Sequence, residues 1–187
     1  MRGRLIVVEG LDGTGKSTCS KALAARLGAE WTTTPGAEVR AIREQVDDSL
    51  GTSRLARQLA YASFVAAEST RIAAKLASGR DVVVDRYWAT TVAYAGLDPD
   101  YVDLTAVESR LVPADVTWFL TLDEAERQRR LRARGMSAAD EETLDTARRR
   151  RLTELYREAL KRPVCGRVVE VDVTGLGVGE LWEGWAA

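Results

Sequence analysis

Gly10-Leu11-Asp12-Gly13-Thr14-Gly15-Lys16-Ser17 fits the pattern G-x-x-x-x-G-K-[ST] and follows almost directly on the apolar run Leu5-Ile6-Val7-Val8. A short apolar run without polar alternation reads as a strand buried on both faces, as parallel sheets require. Beyond the loop, a helical pattern starts at Lys16 and runs through Leu23 and Leu27. Strand, glycine-rich loop and helix form the context in which this pattern binds phosphate. Glycines let successive backbone N–H groups point inward around a polyphosphate, and the helix N-terminus adds its partial positive charge. Gly10, Asp12, Gly13, Thr14, Gly15, Lys16, Ser17 and Thr18 are therefore expected to form a cradle for a nucleoside triphosphate. Lys16 would bridge the β- and γ-phosphates, Ser17 would ligate Mg²⁺, and Thr18 would reach the α-phosphate. Asp12 places a negative charge inside an anion-binding loop, either as a turn residue or facing a second substrate.

Working outward, Val82–Val84, Val116–Leu122 and Arg167–Val171 are further strand candidates, with a weaker one around Trp31 to Thr34. Long helical patterns separate them. This alternation predicts a three-layer α/β/α fold with a mostly parallel sheet of about five strands. The helix expected from Ser53 to Ser78 carries Leu55, Leu59, Ala62, Ala66, Ala73 and Leu76 at three- and four-residue steps, a stripe that should face the core. A second stripe, Gln58, Tyr61, Val65 and Glu68, is centred roughly 100° away. The chain has 187 residues, no internal repeat and four scattered prolines, so residues 1–187 are expected to form one domain.

Composition narrows the chemistry. Twenty-seven cations face 28 anions, so no overall positive field favours nucleic acid or an anionic membrane. Only Lys16, Lys21, Lys75 and Lys161 among the cations are Lys; the rest are Arg. The absence of His removes Ser-His triads, His bases and His-ligated metals together. Carboxylates, Lys, Arg, hydroxyls and a bound Mg²⁺ remain. Cys19 and Cys165 have no metal-like spacing, and the four-residue apolar run after Met1-Arg2-Gly3-Arg4 is too short for a signal peptide or a membrane span. A cytoplasmic location is the expectation.

Val82-Val83-Val84-Asp85-Arg86-Tyr87-Trp88 puts a carboxylate and a guanidinium at the C-terminal end of a buried strand, where open α/β sheets bind ligands. Asp85 can hold Mg²⁺ and Arg86 can fork onto an acceptor phosphate. Further on, Arg127, Arg129, Arg130, Arg132 and Arg134 precede Gly135, and Asp140-Glu141-Glu142 is expected to open a helix carrying Arg148 to Arg151. Most such arginines line solvated faces. Arg130 and Arg134, however, share a helical face and end at a glycine, as in a mobile Arg-rich lid spanning about 127–150.

EGLDGTGKST (9–18), DRYWATTVAYAG (85–96), the Pro113-Ala114-Asp115 approach to a strand and RLRARG (130–135) fall in one order and spacing. In these elements the sequence resembles the thymidylate kinase family of nucleoside monophosphate kinases over nearly its whole length. The resemblance implies transfer of the γ-phosphoryl of ATP, with Mg²⁺, to a pyrimidine nucleoside 5′-monophosphate. It places Asp12 near the acceptor sugar, Arg86 on the acceptor phosphate, Tyr61 stacked on the base, and Thr91 and Tyr94 near base and ribose. It gives Lys16, Asp12, Arg86, Arg130 and Arg134 catalytic roles, since bacterial-type members put catalytic arginines in the lid when the phosphate loop lacks one. Small nucleotides would be the only partners, with no nucleic acid or membrane; a homodimer is compatible with this.

Two departures bear on specificity. Where many members have Arg-Glu-Pro-Gly-Gly, this chain has Thr33-Thr34-Pro35-Gly36-Ala37, leaving Arg40 or Arg43 to replace the missing acceptor-phosphate arginine. The base-reading arginine of the family aligns with Val65, which has no donor for a thymine carbonyl. DRYW, Val65-Ala66-Ala67-Glu68 and Arg134-Gly135-Met136 are similar to the mitochondrial UMP-CMP kinase branch, so UMP, CMP and their deoxy forms are alternative acceptors. A partner-coupled ATPase switch or a kinase of a non-nucleotide small molecule are the readings from other classes. A GTPase would need an N-K-x-D motif, which is absent.

Overall fold

A computed structural model describes residues 1–177, with the backbone but not the side chains of Arg40, Ala41, Arg43, Glu44, Ala138 and Ala139. The strands are β1 (Leu5–Gly10), β2 (Glu30–Thr33), β3 (Val82–Asp85), β4 (Val116–Thr121) and β5 (Arg167–Asp172). The helices are α1 (Lys16–Leu27), α2 (Ala37–Ala41), α3 (Arg43–Leu50), α4 (Arg54–Ala77), α5 (Trp88–Ala95), α6 (Thr105–Glu108), α7 (Glu124–Arg134), α8 (Ala138–Glu142) and α9 (Thr146–Ala159). The strands form one sheet in the order β2-β3-β1-β4-β5, every pairing parallel. The predicted α/β/α architecture is therefore observed, including the weak strand candidate near Trp31.

The apolar runs explain the layering. Side chains of a strand alternate between faces, and here both faces are covered. Leu5, Val7, Val82 and Val84 pack into one core layer with α4, α5 and α9. Ile6, Val8 and Val83 pack into the other with Cys19, Leu23 and Ala24 of α1. At the two sheet edges β2 is only partly buried and β5 keeps a partly exposed alternation. Val8 pairs with Asp85 and Gly10 with Leu120, so the loops that leave β1 and β3 emerge side by side at the carboxyl end of the sheet.

Helix α4 matches the expected span, with Ser53 as N-cap accepting from the Ala56 N–H at 3.2 Å. Its buried face matches in part, since Ala62 and Leu76 of the expected stripe are buried and Ala66 packs against the core, but Ala73 is exposed. Gln58, Ala62, Val65, Glu68, Ser69, Ile72 and Leu76 are buried, while Leu55 and Leu59 are 49 and 48 % exposed. Polar residues hold core positions because each has a partner there. Gln58 exchanges two hydrogen bonds with the Val102 backbone, Glu68 accepts from Thr32, and Ser69 accepts from the Val112 N–H. Hydrogen-bonded polar groups are tolerated in a core that apolar counting would deny them. A second correction concerns the lid: Asp140–Glu142 closes the short helix α8, and the arginines 148–151 ride on a separate helix, α9, capped by Asp145.

The rotation of α4 is testable by urea denaturation. Ile72→Ala is expected to cost about 2–5 kcal/mol and Leu55→Ala within about 0.5 kcal/mol; the reverse order would contradict the assigned face.

Candidate active site

The loop after β1 wraps back on itself before α1 begins. Thr14 donates its hydroxyl to the Leu11 carbonyl at 2.9 Å, and Lys16, buried at the first helical position, donates to the same carbonyl at 2.7 Å. Gly15 caps α1 without a side chain, leaving the N–H groups of the first turn directed out of the helix end. Ser17 and Thr18 sit exposed on that turn. Gly10 and Gly13 both take positive φ. At Gly13 a Cβ would also stand 3.0 Å from Arg127 Cγ and from Leu131, so the position is closed to side chains on two counts.

Arg86 is the non-glycine residue of the described chain with positive φ, at 67°, a conformation that costs on the order of 1–3 kcal/mol unless its surroundings fix it. Its guanidinium is ion-paired and hydrogen-bonded to Asp12. Asp12 also receives the Tyr94 hydroxyl at 2.9 Å and lies 3.7 Å from the Lys16 ammonium. Burial alone would raise the Asp12 carboxyl, but Arg86, then Lys16 and Tyr94, outweigh it and hold the group well below the usual carboxylate range. Burial, followed by repulsion from Arg86, pushes Lys16 down to about 8. Burial also pushes the Glu9 carboxyl up, against hydrogen bonds from Thr90 and Tyr87.

Ser17 donates to Asp85 Oδ2 at 2.5 Å, while Asp85 Oδ1 is buried with no hydrogen-bond partner among the described residues. An orphaned carboxylate oxygen beside a hydroxyl is a donor set suited to a hard, oxygen-seeking cation such as Mg²⁺. No group of three His, Cys, Asp or Glu among the described residues is placed to hold a metal ion by itself. Any such ion would draw its remaining ligands from phosphate and water.

Helix α7 lies against this loop. Arg130 Nη1 stands 3.5 Å from where a Cβ on Gly15 would be, and the charge of Arg134 reaches Asp12. Both cations have carboxylate partners, Arg130 with Glu126 at 2.8 Å and Arg134 with Asp140 at 2.7 Å.

Thus Asp12, Lys16, Ser17, Asp85, Arg86, Tyr94 and both lid arginines converge. Tyr61 is half-buried on α4, its hydroxyl donating to Asp47 of α3 at 3.3 Å. Thr91 is half-buried on α5, one turn before Tyr94. Val65 is 2 % exposed within the core layer and presents no surface to a ligand in this conformation. The side chain of Arg43 lies outside the described residues.

A family model for thymidylate kinase matches residues 8–173. A probable thymidylate kinase from Pyrococcus abyssi is 31 % identical across 97 % of this chain and 98 % of its own length. The chain belongs to the thymidylate kinase family. A second probable thymidylate kinase, from Pyrococcus horikoshii, is 34 % identical over 72 % of this chain and 73 % of its own. Among solved structures, a Candida albicans thymidylate kinase described as having broad substrate specificity aligns with a TM-score of 0.72 at 25 % identity, over 96 % of this chain and 88 % of that one. An Ehrlichia chaffeensis thymidylate kinase shares the fold with a TM-score of 0.68 at 18 % identity, over 97 and 95 % of the two chains.

Two residues of this family member escaped the sequence reading of the site. Arg127 counts by composition as one more surface arginine of the lid, yet its side chain is 1 % exposed. Its guanidinium grips Glu124 twice, at 2.8 and 2.9 Å, and donates to the Asp12 carbonyl at 3.0 Å and the Thr143 carbonyl at 2.9 Å. It therefore ties the phosphate loop to the base of the lid. The Arg127/Leu131 spacing of i, i+4, with Leu131 fully buried, was the available signal that this face points inward. Glu9, fully buried at the end of β1, is the other.

Arg127→Ala should leave several buried acceptors unmatched and lower unfolding free energy by about 3 kcal/mol. Urea denaturation giving a loss under about 1 kcal/mol would show that the fastening is not energetically significant.

Proposed function

We propose that this chain transfers the γ-phosphoryl group of ATP to a pyrimidine nucleoside 5′-monophosphate, converting dTMP to dTDP. The observation that carries this reading is the position of Arg86: a second phosphate-binding cation stands beside the phosphate loop, in the same buried cluster as Lys16. A partner-coupled ATPase switch has no need of that second site. Gly10, Gly13, Thr14, Gly15 and Thr18 cradle the ATP phosphates, with Lys16 on the β- and γ-phosphates. Arg86 takes the acceptor phosphate, and Asp12, hydrogen-bonded to Tyr94, orients the acceptor sugar. Arg130 and Arg134 exchange their carboxylate partners for the transferring phosphoryl as the lid, about 127–150, closes and excludes water. Stabilising charge on that group, together with positioning, is what phosphoryl transfer asks of a protein. Ser17 and Asp85 are the groups that would hold Mg²⁺, which neutralises phosphate charge when bound.

For the acceptor base, Tyr61 stacks and Thr91 lines the site, with Arg43 in place of the arginine missing at Thr33-Thr34. The stripe that bears Tyr61 offers no free donor, since Val65 is in the core and Gln58 and Glu68 are engaged elsewhere. We therefore expect dTMP to be accepted without strong preference over dUMP, dCMP, UMP or CMP. The breadth described for the Candida albicans relative supports this. Residues 1–187 act as one kinase domain in the cytoplasm; a homodimer would use the exposed face of α4 at Leu55 and Leu59.

ADP formation is expected only when a nucleoside monophosphate is added, with Lys16→Ala as the inactive control. Across the five monophosphates kcat/KM should vary less than about a hundredfold. ATP turnover independent of acceptor would contradict the kinase reading, and a dTMP preference above that bound would contradict the broad one.

Lys16 gives a pH signature. With its pKa near 8 in the free protein, ATP selects the ammonium form, so affinity should hold below pH 8 and fall as pH rises through it. Calorimetry at pH 8 in two buffers of different ionisation heat should register uptake of about half a proton per ATP bound; no uptake would contradict the depressed pKa.

A further inference from the structure

Glu9 is fully buried at the end of β1 and has no part in the chemistry above. Its Oε1 accepts the Tyr87 N–H at 2.9 Å and the Thr90 N–H at 3.1 Å, and its Oε2 accepts the Thr90 hydroxyl at 2.5 Å. The Tyr156 hydroxyl of α9 lies 2.9 Å from the same Thr90 oxygen. Helix α5 starts with Tyr87 as N-cap and has no side-chain cap of its own. Tyr87 is itself committed to the core at 2 % exposure. The carboxylate that satisfies the open N–H groups of α5 thus comes from the neighbouring strand, in the role that Ser, Asp or Asn normally plays from within the helix.

The peptide unit between Arg86 and Tyr87 is gripped at both ends. Its N–H is held by Glu9, and its carbonyl, that of Arg86, accepts the Thr34 hydroxyl at 2.8 Å. One residue earlier, the Arg86 N–H donates to the Val8 carbonyl at 3.0 Å. A non-glycine residue in the left-handed region persists where its surroundings over-determine it, and these three contacts do so at Arg86. They fix the backbone from which its guanidinium reaches Asp12.

We propose that Glu9 is a positioning residue for the acceptor-phosphate site: its carboxylate caps α5 and locks the Arg86–Tyr87 peptide, so that Arg86 is held aimed at the acceptor rather than free to relax. Thr34 is the second half of this lock. The proposal rests on Arg86 binding the acceptor phosphate. The Glu9 carboxylate bonds to Tyr87 and Thr90 rather than to the phosphate loop, and its charge is the smallest of the influences on Lys16, so its loss should be felt mainly through the acceptor.

The test is steady-state kinetics with dTMP and ATP on Glu9→Ala, Glu9→Gln, Thr34→Val and Arg86→Ala. Glu9→Ala is expected to raise KM for dTMP about tenfold or more while KM for ATP stays within about twofold. Glu9→Gln keeps a carbonyl oxygen for the two backbone N–H groups, and the Thr90 hydroxyl can turn to accept from its amide, so it should recover most of the loss. Thr34→Val, a smaller perturbation, should raise KM for dTMP about threefold and carries the test if Glu9→Ala does not fold. Equal rises in both KM values for Glu9→Ala, or no rescue by Gln, would overturn the positioning role in favour of a general structural one. If Arg86→Ala raises KM for dTMP but Glu9→Ala and Thr34→Val do not, the lock is refuted while the acceptor role of Arg86 stands. Unchanged KM for dTMP in Arg86→Ala would refute that acceptor role itself.

Discussion

The pairing of Asp12 with Arg86 is the interaction on which the site depends. Two charged groups are drawn out of water at the ends of adjacent strands, beside a buried ammonium and a buried carboxylate, Lys16 and Asp85. Removing one partner from such a cluster leaves an uncompensated charge in a poorly solvated place, a cost of several kcal/mol. The protein meets that constraint with its own groups. Asp12 answers Arg86, and the Leu11 carbonyl accepts a hydrogen bond from Lys16. Phosphates would compete for these same cations. The protein's own acceptors thus hold both cations in place.

The backbone around the pair is shaped to keep it. Parallel pairing of β1 with β3 brings Val8 beside Asp85, so the residue after Asp85 emerges over the phosphate loop. Arg86 must then turn sharply, which accounts for its left-handed conformation and for the contacts that secure it. On the far side, Arg127 fastens the loop carbonyl of Asp12 to Glu124 and Thr143. Loop position 12 is consequently held by one arginine through its carboxylate and by another through its carbonyl. The close fit of Gly13 against Arg127 and Leu131 follows from this, and it closes position 13 to a side chain.

Much of this was legible in the sequence because the relevant signals are local. An apolar run, a glycine-rich loop and a helical pattern in immediate succession locate β1, the cradle and α1, and Asp85-Arg86 at the end of Val82–Val84 locates the second half of the site. The remainder depends on contacts between distant segments. Leu55 and Leu59 look like core residues until Gln58, Glu68 and Ser69 find partners at Val102, Thr32 and Val112, which no periodicity reveals. Arg127 is indistinguishable by type from its neighbours on α7. Glu9 precedes the phosphate-loop pattern by one residue, and its purpose emerges only when α5 is placed against β1. Val65 stands where the resemblance puts a base-reading arginine, but it is turned into the core, and likeness of sequence does not say which way a helix is turned.

The central claim is that two phosphate sites adjoin and that the γ-phosphoryl passes directly between them. ³¹P NMR of ATP carrying ¹⁸O in its γ-phosphoryl group, incubated with dTMP and the protein, tests it most directly. The account predicts that the label appears in the β-phosphoryl of dTDP, one equivalent for each ADP formed, with none in inorganic phosphate. Label released as inorganic phosphate, at a rate indifferent to dTMP, would contradict it.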